Sequence, residues 1–174
     1  MSYPYGKTEI ATWIRQNFPD AVILDVGAGE GTWHDLLPEY TMDAVEIYAP
    51  AAEALKGYRN VAVKDIVSYK YRKHYDLIIF GDVLEHLTVE NAQKVIEYAK
   101  GHCDDILVAV PWMYEQDEID GNKWQKHLQP DLTPEVFYER YPGFDSLWQN
   151  ELYGYYHLSK TEKGGETSGD STER

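Results

Sequence analysis

The sequence is poor in the features that mark secreted and membrane proteins. It has a single cysteine, Cys103, so no disulfide can form within the chain. No apolar run approaches the length of a bilayer-spanning helix. The segment Met1–Gly6 lacks the basic start and the apolar stretch of a signal peptide. We therefore expect a soluble, cytoplasmic protein with no membrane partner.

Basic residues are also scarce, because 16 Lys and Arg residues stand against 30 Asp and Glu residues and the formal net charge is −14. A field of this sign repels the phosphate backbone of a nucleic acid, so we expect no nucleic-acid partner. The one visible basic cluster, Lys70–His74, precedes a predicted strand and is interpreted as a solvated connection. Tyrosine is abundant, with 15 residues, and suits both a wet protein surface and a pocket for an aromatic or planar substrate.

The most informative stretch is AVILDVGAGEG at positions 21–31. Its four leading apolar residues predict a strand buried on both faces, and three glycines at alternate positions predict a tight turn into a helix. Glycine permits such a turn and leaves backbone atoms open to a ligand. A dinucleotide fingerprint would need its third glycine at Thr32 rather than at Gly31, so an NAD site is disfavoured.

An acidic residue, Asp25, stands two positions before this Gly-x-Gly-x-Gly loop. The combination resembles motif I of the class I S-adenosylmethionine-dependent methyltransferases. The resemblance implies that S-adenosylmethionine is the cofactor. It also implies the cofactor-binding set Asp25, Gly27, Ala28, Gly29, Gly31, Glu46, Ile47, Asp65, Ile66, Gly81 and Asp82.

Three members of this set have individual roles, one supported by spacing and two implied by the resemblance. Glu46 comes 21 residues after Asp25, in a predicted strand over Ala44–Ile47, where the spacing fits a carboxylate that accepts hydrogen bonds from ribose hydroxyls. By resemblance, Asp65 meets the adenine amino group and Ile66 packs on the adenine ring, just after a predicted strand at residues 60–63.

The segment Tyr75–Leu87 resembles motif IV of the small-molecule methyltransferases, in which a buried strand ends near the reactive methyl group and runs into a Leu-Glu-His turn. The predicted catalytic residues are His127, His86 and Asp82. An imidazole can remove the acceptor's proton near neutral pH. The alternative for each histidine is a structural role, in which the ring bonds a backbone carbonyl.

The same turn has a second resemblance. Asp82-x-x-Glu85-His86 with the later His127 resembles the residues that bind a divalent metal in small-RNA 2′-O-methyltransferases and, in part, in ubiquinone-pathway O-methyltransferases. Such oxygen and imidazole ligands could hold an ion that activates a hydroxyl. Because the first ligand here would be the shorter Asp, we predict no metal and keep a metal-assisted O-methyltransferase as an alternative.

The acceptor loop, Trp112–Leu132, has no periodicity and contains Trp112, Tyr114, Trp124 and His127. Ligands of open α/β sheets bind beyond the carboxyl ends of the strands, so we expect this loop and the Glu85–His86 turn to form the acceptor pocket. The predicted activity is methyl transfer to a hydroxyl or amine of a small-molecule acceptor, by a monomer or homodimer. A cofactor-binding partner protein without catalysis is the alternative.

Strands alternating with helices through Pro111 predict an α/β fold, a doubly wound, mostly parallel sheet with helices on both faces. The resemblance implies a seven-stranded Rossmann-like methyltransferase fold with a C-terminal antiparallel hairpin. We expect one domain over residues 1–160 and a disordered acidic tail over 161–174. Helices are predicted at 8–18, 32–40, 50–57, 88–100 and 133–141, later strands at 75–81 and 105–110, and the hairpin at 146–149 and 152–160.

Overall fold

The structure is a computed structural model that describes residues 5–160. Its strands are β1 (Val22–Val26), β2 (Thr41–Glu46), β3 (Asn60–Val63), β4 (Tyr75–Gly81), β5 (Cys103–Pro111), β6 (Asp145–Gln149) and β7 (Tyr153–Ser159). Its α-helices are α1 (Lys7–Asn17), α2 (Thr32–Leu36), α3 (Ala49–Ala54), α4 (Val89–Lys100) and α5 (Pro134–Arg140), with short 3-10 turns at Leu84–His86 and Lys123–Gln125. The predicted tail, residues 161–174, lies outside the described residues.

All seven strands belong to one sheet in the order β3-β2-β1-β4-β5-β7-β6. Strands β1 to β5 pair in parallel, and β7 pairs antiparallel with both β5 and β6. The predicted doubly wound sheet with a closing hairpin is therefore confirmed. The strand order reverses between β1 and β4, which is the place where open α/β sheets bind ligands.

The sheet is covered on both faces because its central strands are apolar at successive positions. In β4, Leu77 and Ile79 pack with the apolar stripe of α1, whereas Ile78 and Phe80 pack with that of α4. Side chains alternate between the faces of a strand, so an uninterrupted apolar run needs a helical layer on each side. Among residues 5–160, no helix is long and apolar enough to cross a bilayer.

Two threonines cap the helices that follow them. Thr88 Oγ1 accepts a hydrogen bond from the backbone N–H of Asn91 at the start of α4. Thr133 Oγ1 accepts one from Val136 N at the start of α5. Each bond satisfies a donor that the first helical turn would otherwise leave unpaired.

Other predicted boundaries were wrong. Helix α1 begins at Lys7, after a left-handed Gly6, and not at residue 8. Helix α2 also follows a left-handed glycine, and it ends at Leu36 rather than near residue 40. Pro38 explains this early end, since the residue before a proline disfavours the helical conformation. Strand β2 starts three residues earlier than predicted because Thr41 pairs with Val22 of β1.

Candidate active site

The glycine loop after β1 requires glycine on two grounds. Gly27, Gly29 and Gly31 have φ angles of +68°, +53° and +85°, which side chains with a Cβ rarely adopt. A Cβ at Gly27 would also lie 2.5 Å from Val83 Cγ2. The N–H of Gly27 donates to Val45 O at 2.8 Å, which fixes the loop against β2. At Gly29, a Cβ would meet only Gly27 O at 3.8 Å, so that position borders open space.

Glu46 at the end of β2 is held in place by the glycine loop. Its Oε2 accepts a hydrogen bond from Gly29 N at 2.8 Å, and its Oε1 accepts one from Tyr48 N at 2.8 Å. The residue is 7% exposed. Because a carboxylate oxygen has two acceptor sites, each oxygen can still accept a second hydrogen bond, for example from a ligand hydroxyl.

A cavity of about 250 Å³ lies beyond the carboxyl ends of β1, β2 and β4. The predicted cofactor residues that line it are Gly27, Gly29, Glu46, Ile47, Asp65, Ile66 and Asp82. Asp25, Ala28, Gly31 and Gly81 do not line it. At the adenine end predicted from sequence, Asp65 Oδ1 accepts a hydrogen bond from Val67 N at 2.9 Å, and Ile66 is buried.

Asp25 lies beneath the loop, where it is 1% exposed. Its Oδ2 accepts a hydrogen bond from Tyr58 Oη at 2.6 Å, and its Oδ1 has no hydrogen-bond partner among residues 5–160. Burial raises the pKa of Asp25 to about 7. Lys7 is also buried, and burial lowers the pKa of its ammonium. The negative charges of Asp82 and Asp25 oppose that shift, so both carboxyls lie near Lys7.

Asp82 follows β4 with a φ of +56°. Its Oδ1 accepts a hydrogen bond from Tyr153 Oη, and its N–H donates to Ala109 O at 3.1 Å. A left-handed residue other than glycine costs about 1–3 kcal/mol and persists where the surroundings hold it in place. Here the first residue of β7 holds the predicted catalytic Asp82 at the edge of the cavity.

The acceptor loop is tied to the 3-10 turn after β4. The backbone oxygen of Glu85 accepts hydrogen bonds from Leu128 N at 2.7 Å and from Gln129 N at 3.1 Å. The side-chain amide of Gln129 donates to Leu84 O at 2.7 Å and to Leu87 O at 3.0 Å. These bonds join segments more than 40 residues apart in sequence, as the separations of 45 and 42 residues show.

These hydrogen bonds, which we call the clamp, bring His86 and His127 together, with ring centroids 4.7 Å apart. His86 Nδ1 lies 3.2 Å from Lys126 O, and His127 Nδ1 lies 2.8 Å from Tyr114 O. A carbonyl only accepts hydrogen bonds, so each Nδ1 carries the proton and each Nε2 is the basic nitrogen. Burial lowers the pKa of both imidazoles, that of His86 to about 4, so both rings are neutral near pH 7.

Glu85 completes the cluster. It is 1% exposed, and its Oε2 has no hydrogen-bond partner among residues 5–160. Burial, followed by the charge of Asp82, raises the pKa of this carboxyl well above its usual range. One potential ligand atom from each of Glu85, His86 and His127 lies within 4.8 Å of the other two, and Asp82 is outside this group.

The predicted aromatic lining of the acceptor pocket is only partly correct. Trp112 is 7% exposed and packs edge-on against Tyr156, so it belongs to the core. Its indole fits because Gly154 lies opposite, where a Cβ would come within 2.3 Å of Trp112 Cζ2. The Tyr114 ring centroid is 5.3 Å from that of His127, and Trp124 is 42% exposed and lines the cavity.

Comparisons with solved structures place this geometry in a known fold. No protein-family model matches the sequence, and no curated protein matches it. An S-adenosylmethionine-dependent methyltransferase from Clostridium acetobutylicum superposes with a TM-score of 0.67 at 13% identity, over 90% of this chain and 92% of that one. CalS10, an amino pentose methyltransferase from Micromonospora echinaspora, gives a TM-score of 0.65 at 16% identity, over 92% of each chain.

A third similar structure is magnesium protoporphyrin IX methyltransferase from Synechocystis, with a TM-score of 0.60 at 14% identity, over 89% of this chain and 78% of that one. The chain has the Rossmann-like methyltransferase fold. The resemblance seen in the sequence is thus confirmed for the fold. Identities this low leave the cofactor and the acceptor to be argued from the site.

The sequence analysis missed several residues of the candidate active site. They are Lys7, Tyr58, Gln129 and Tyr153. Each acts through a contact between distant segments, and none belongs to a local motif. The one available signal was the chemistry of Lys7, a charged residue at the start of an amphipathic helix, and that signal is weak because such residues are usually solvated.

Proposed function

We propose that the protein is an S-adenosylmethionine-dependent methyltransferase that acts on a hydroxyl or amine of a small molecule. The observation that carries the proposal is the Glu46 carboxylate, which Gly29 N and Tyr48 N orient at the rim of a cavity bounded by the glycine loop. Similar folds were crystallised with this cofactor or its demethylated product, including CalS10 with S-adenosylmethionine and the N-terminal domain of EvdMO1 with S-adenosylhomocysteine.

The residues around the cavity fit this cofactor. Glu46 has acceptor sites left for two ribose hydroxyls, and Asp65 with Ile66 offers an acceptor and an apolar surface for adenine. Gly29 leaves open space where a Cβ would stand. The carboxyl of Asp82, which lines the cavity, offers an acceptor for the cationic methionine end, whereas Asp25 lies beneath the loop. These roles are proposed from chemistry and position together.

When bound, S-adenosylmethionine supplies a methyl group on a positively charged sulfur, which leaves with the bonding electron pair. The protein must then align the acceptor and receive its proton. We assign the alignment to the Gly81–Asp82 strand end. We assign contact with the acceptor to His127 and His86, which follow β5 and β4. His86 lines the cavity, and the ring centroid of His127 lies 4.7 Å from that of His86. The prediction of a cytoplasmic enzyme, monomeric or homodimeric, stays a prediction.

Titration calorimetry with S-adenosylhomocysteine tests the proposal. We expect roughly micromolar binding by the wild type and none by Gly29→Val, because the valine side chain would project into the cavity. Gly143→Val is the matched control, since Gly143 is also left-handed, with a φ of +93°, and lies outside the cavity lining. Binding by Gly29→Val equal to that of the control would refute the proposed cofactor site.

A further inference from the structure

We propose that a second cavity, beside strand β3, binds a small molecule that carries a diphosphate group. This cavity, which we call the β3 groove, has a volume of about 660 Å³, in the range of small-molecule sites. Its lining includes Asp43, Lys64, Tyr69, Lys70, Arg72 and Lys73. The proposal concerns binding alone and does not depend on the proposed function.

The groove exists because the connection from β3 to β4 lacks a helix. Residues 64–74 form this connection, and the structure describes all of them as turns and irregular chain. Parallel sheets normally have both faces covered by the helices of such connections. Asp43 of β2 pairs with Asn60 of β3, so the two side chains lie on the same face of the sheet, and both line the groove. The irregular connection therefore leaves part of this face open.

The groove reverses the sign of the charge found in the rest of the chain. Four of the 16 Lys and Arg residues line it, but only one of the 30 Asp and Glu residues does. The chain as a whole has a formal net charge of −14. Like charges gathered around a concave surface focus the local potential and attract ligands of the opposite sign. An anion is therefore the ligand that the groove favours.

The one carboxylate in the groove is already paired. Asp43 Oδ1 accepts hydrogen bonds from Arg59 Nε at 3.0 Å and Asn60 Nδ2 at 2.9 Å. Its Oδ2 accepts hydrogen bonds from Arg59 Nη2 at 3.0 Å and Tyr75 Oη at 2.9 Å. The same oxygen forms an ion pair with Lys73 Nζ. Two cations thus share one carboxylate, so Asp43 organises this wall of the groove without making it negative.

The other three cations of the groove have no carboxylate partner. Lys64, Lys70 and Arg72 form no ion pair among residues 5–160. A diphosphate carries several negative charges and has oxygens on two phosphorus atoms, so it can contact more than one of these cations at once. Tyr69 is half-buried and also lines the groove. Its ring offers a surface for an organic group attached to the diphosphate.

The test is titration calorimetry of the full chain with inorganic pyrophosphate and with uridine diphosphate. We expect one molecule bound per chain, with weaker binding at higher salt. The double variant Lys70→Gln/Arg72→Gln should bind at least about tenfold more weakly, because it removes two charge-assisted contacts. Lys64 stays in place, since it also lines the candidate active-site cavity.

The matched control is Lys94→Gln/Lys100→Gln. It removes the same charge from exposed side chains of α4 that do not line the groove, so it should bind both probes as the wild type does. Tighter binding of uridine diphosphate than of pyrophosphate would identify the ligand as an organic diphosphate. Equal affinities would identify it as the inorganic ion.

Absence of saturable binding of both probes by the wild type would overturn the proposal. Equal affinities of the two double variants would also overturn it, because binding would then follow the overall charge and not the groove. A single-stranded RNA oligonucleotide is the last probe. If it bound more tightly than uridine diphosphate and lost its affinity in Lys70→Gln/Arg72→Gln, the ligand would be a nucleic acid and the small-molecule proposal would be wrong.

Discussion

In the half of the site that we assign to the cofactor, Gly29 donates to Glu46 across 17 residues of sequence, whereas in the acceptor half Gln129 reaches Leu84 across 45. The first bond joins consecutive strand-turn-helix units. The second joins the turn after β4 to a long irregular loop after β5. Local motifs thus build the cofactor half, and contacts between distant segments build the acceptor half.

The two halves also differ in how their carboxyls are paired. Both oxygens of Glu46 accept backbone hydrogen bonds, so this group is satisfied before any ligand binds. Glu85 Oε2 has no such partner within residues 5–160. The comparison indicates that the cofactor half is already organised by the protein, while the acceptor half contains a group that a further ligand would satisfy.

The largest effect is expected from a substitution that disrupts the acceptor half and leaves the cofactor half intact. His127→Ala should lower turnover by about a hundredfold or more, because it removes a group that we assign to contact with the acceptor. S-adenosylhomocysteine affinity should stay within about twofold of the wild type. Production of S-adenosylhomocysteine, with the best acceptor from a screen of hydroxyl and amine compounds, measures the first quantity, and calorimetry measures the second. His74→Ala should match the wild type in both, and equal turnover by the two variants would remove His127 from the reaction.

The converse change breaks the cofactor half. Glu46→Ala should weaken S-adenosylhomocysteine binding by about 1.5–3 kcal/mol, the scale of hydrogen bonds to a charged group. The variant also removes the partner of Gly29 N and Tyr48 N, so some loss of thermal stability is expected. The 2′-deoxy analogue isolates the ribose contact, because the variant and the wild type should differ less for that ligand. If Glu46→Ala and the wild type differed in affinity by the same amount for both ligands, the contact between Glu46 and the ribose hydroxyl would be excluded.

A smaller effect is expected from a substitution in the clamp, and it tests whether the two halves are independent. Gln129→Leu removes the donors to Leu84 O and Leu87 O and the acceptor for Arg140 and Tyr141. We expect turnover to fall roughly tenfold, as for residues that position ligands, with unchanged S-adenosylhomocysteine affinity. A raised KM for the acceptor in the same variant would mark a positioning role, which a general loss of stability would not give. Cofactor affinity falling in parallel with turnover would contradict the separation of the halves.

The difference between the halves also explains what could be predicted from the sequence. The spacing from Asp25 to Glu46 and the glycine loop predicted the residues of the half that we assign to the cofactor, because each strand-turn-helix unit fixes its own residues. Tyr153 could not be found in this way, since it reaches Asp82 only through the antiparallel pairing of β7 with β5. The same pairing buries Trp112, which was predicted to line the acceptor pocket.

Asp25 is the exception within the cofactor half, because its buried Oδ1 has no hydrogen-bond partner within residues 5–160, like Glu85 Oε2. The pKa of Asp25 is about 7 in the folded protein and about 3.9 in an unfolded chain. Between these values the folded state binds the extra proton, so the free energy of unfolding falls as pH rises, by about 1.4 kcal/mol per pH unit for this group. Above pH 7 the loss is complete.

Asp25→Asn removes this titration and keeps an oxygen that can accept the hydrogen bond from Tyr58 Oη. The free energy of unfolding of the variant, relative to that of the wild type, should therefore rise by about 1.4 kcal/mol from about pH 5.5 to about pH 6.5. Urea denaturation at the two pH values measures it. Other ionisable groups are common to both proteins and cancel in the difference. A difference that does not change with pH would mean that Asp25 is ionised throughout this range, and its unpaired oxygen would then carry a full buried charge beside Lys7.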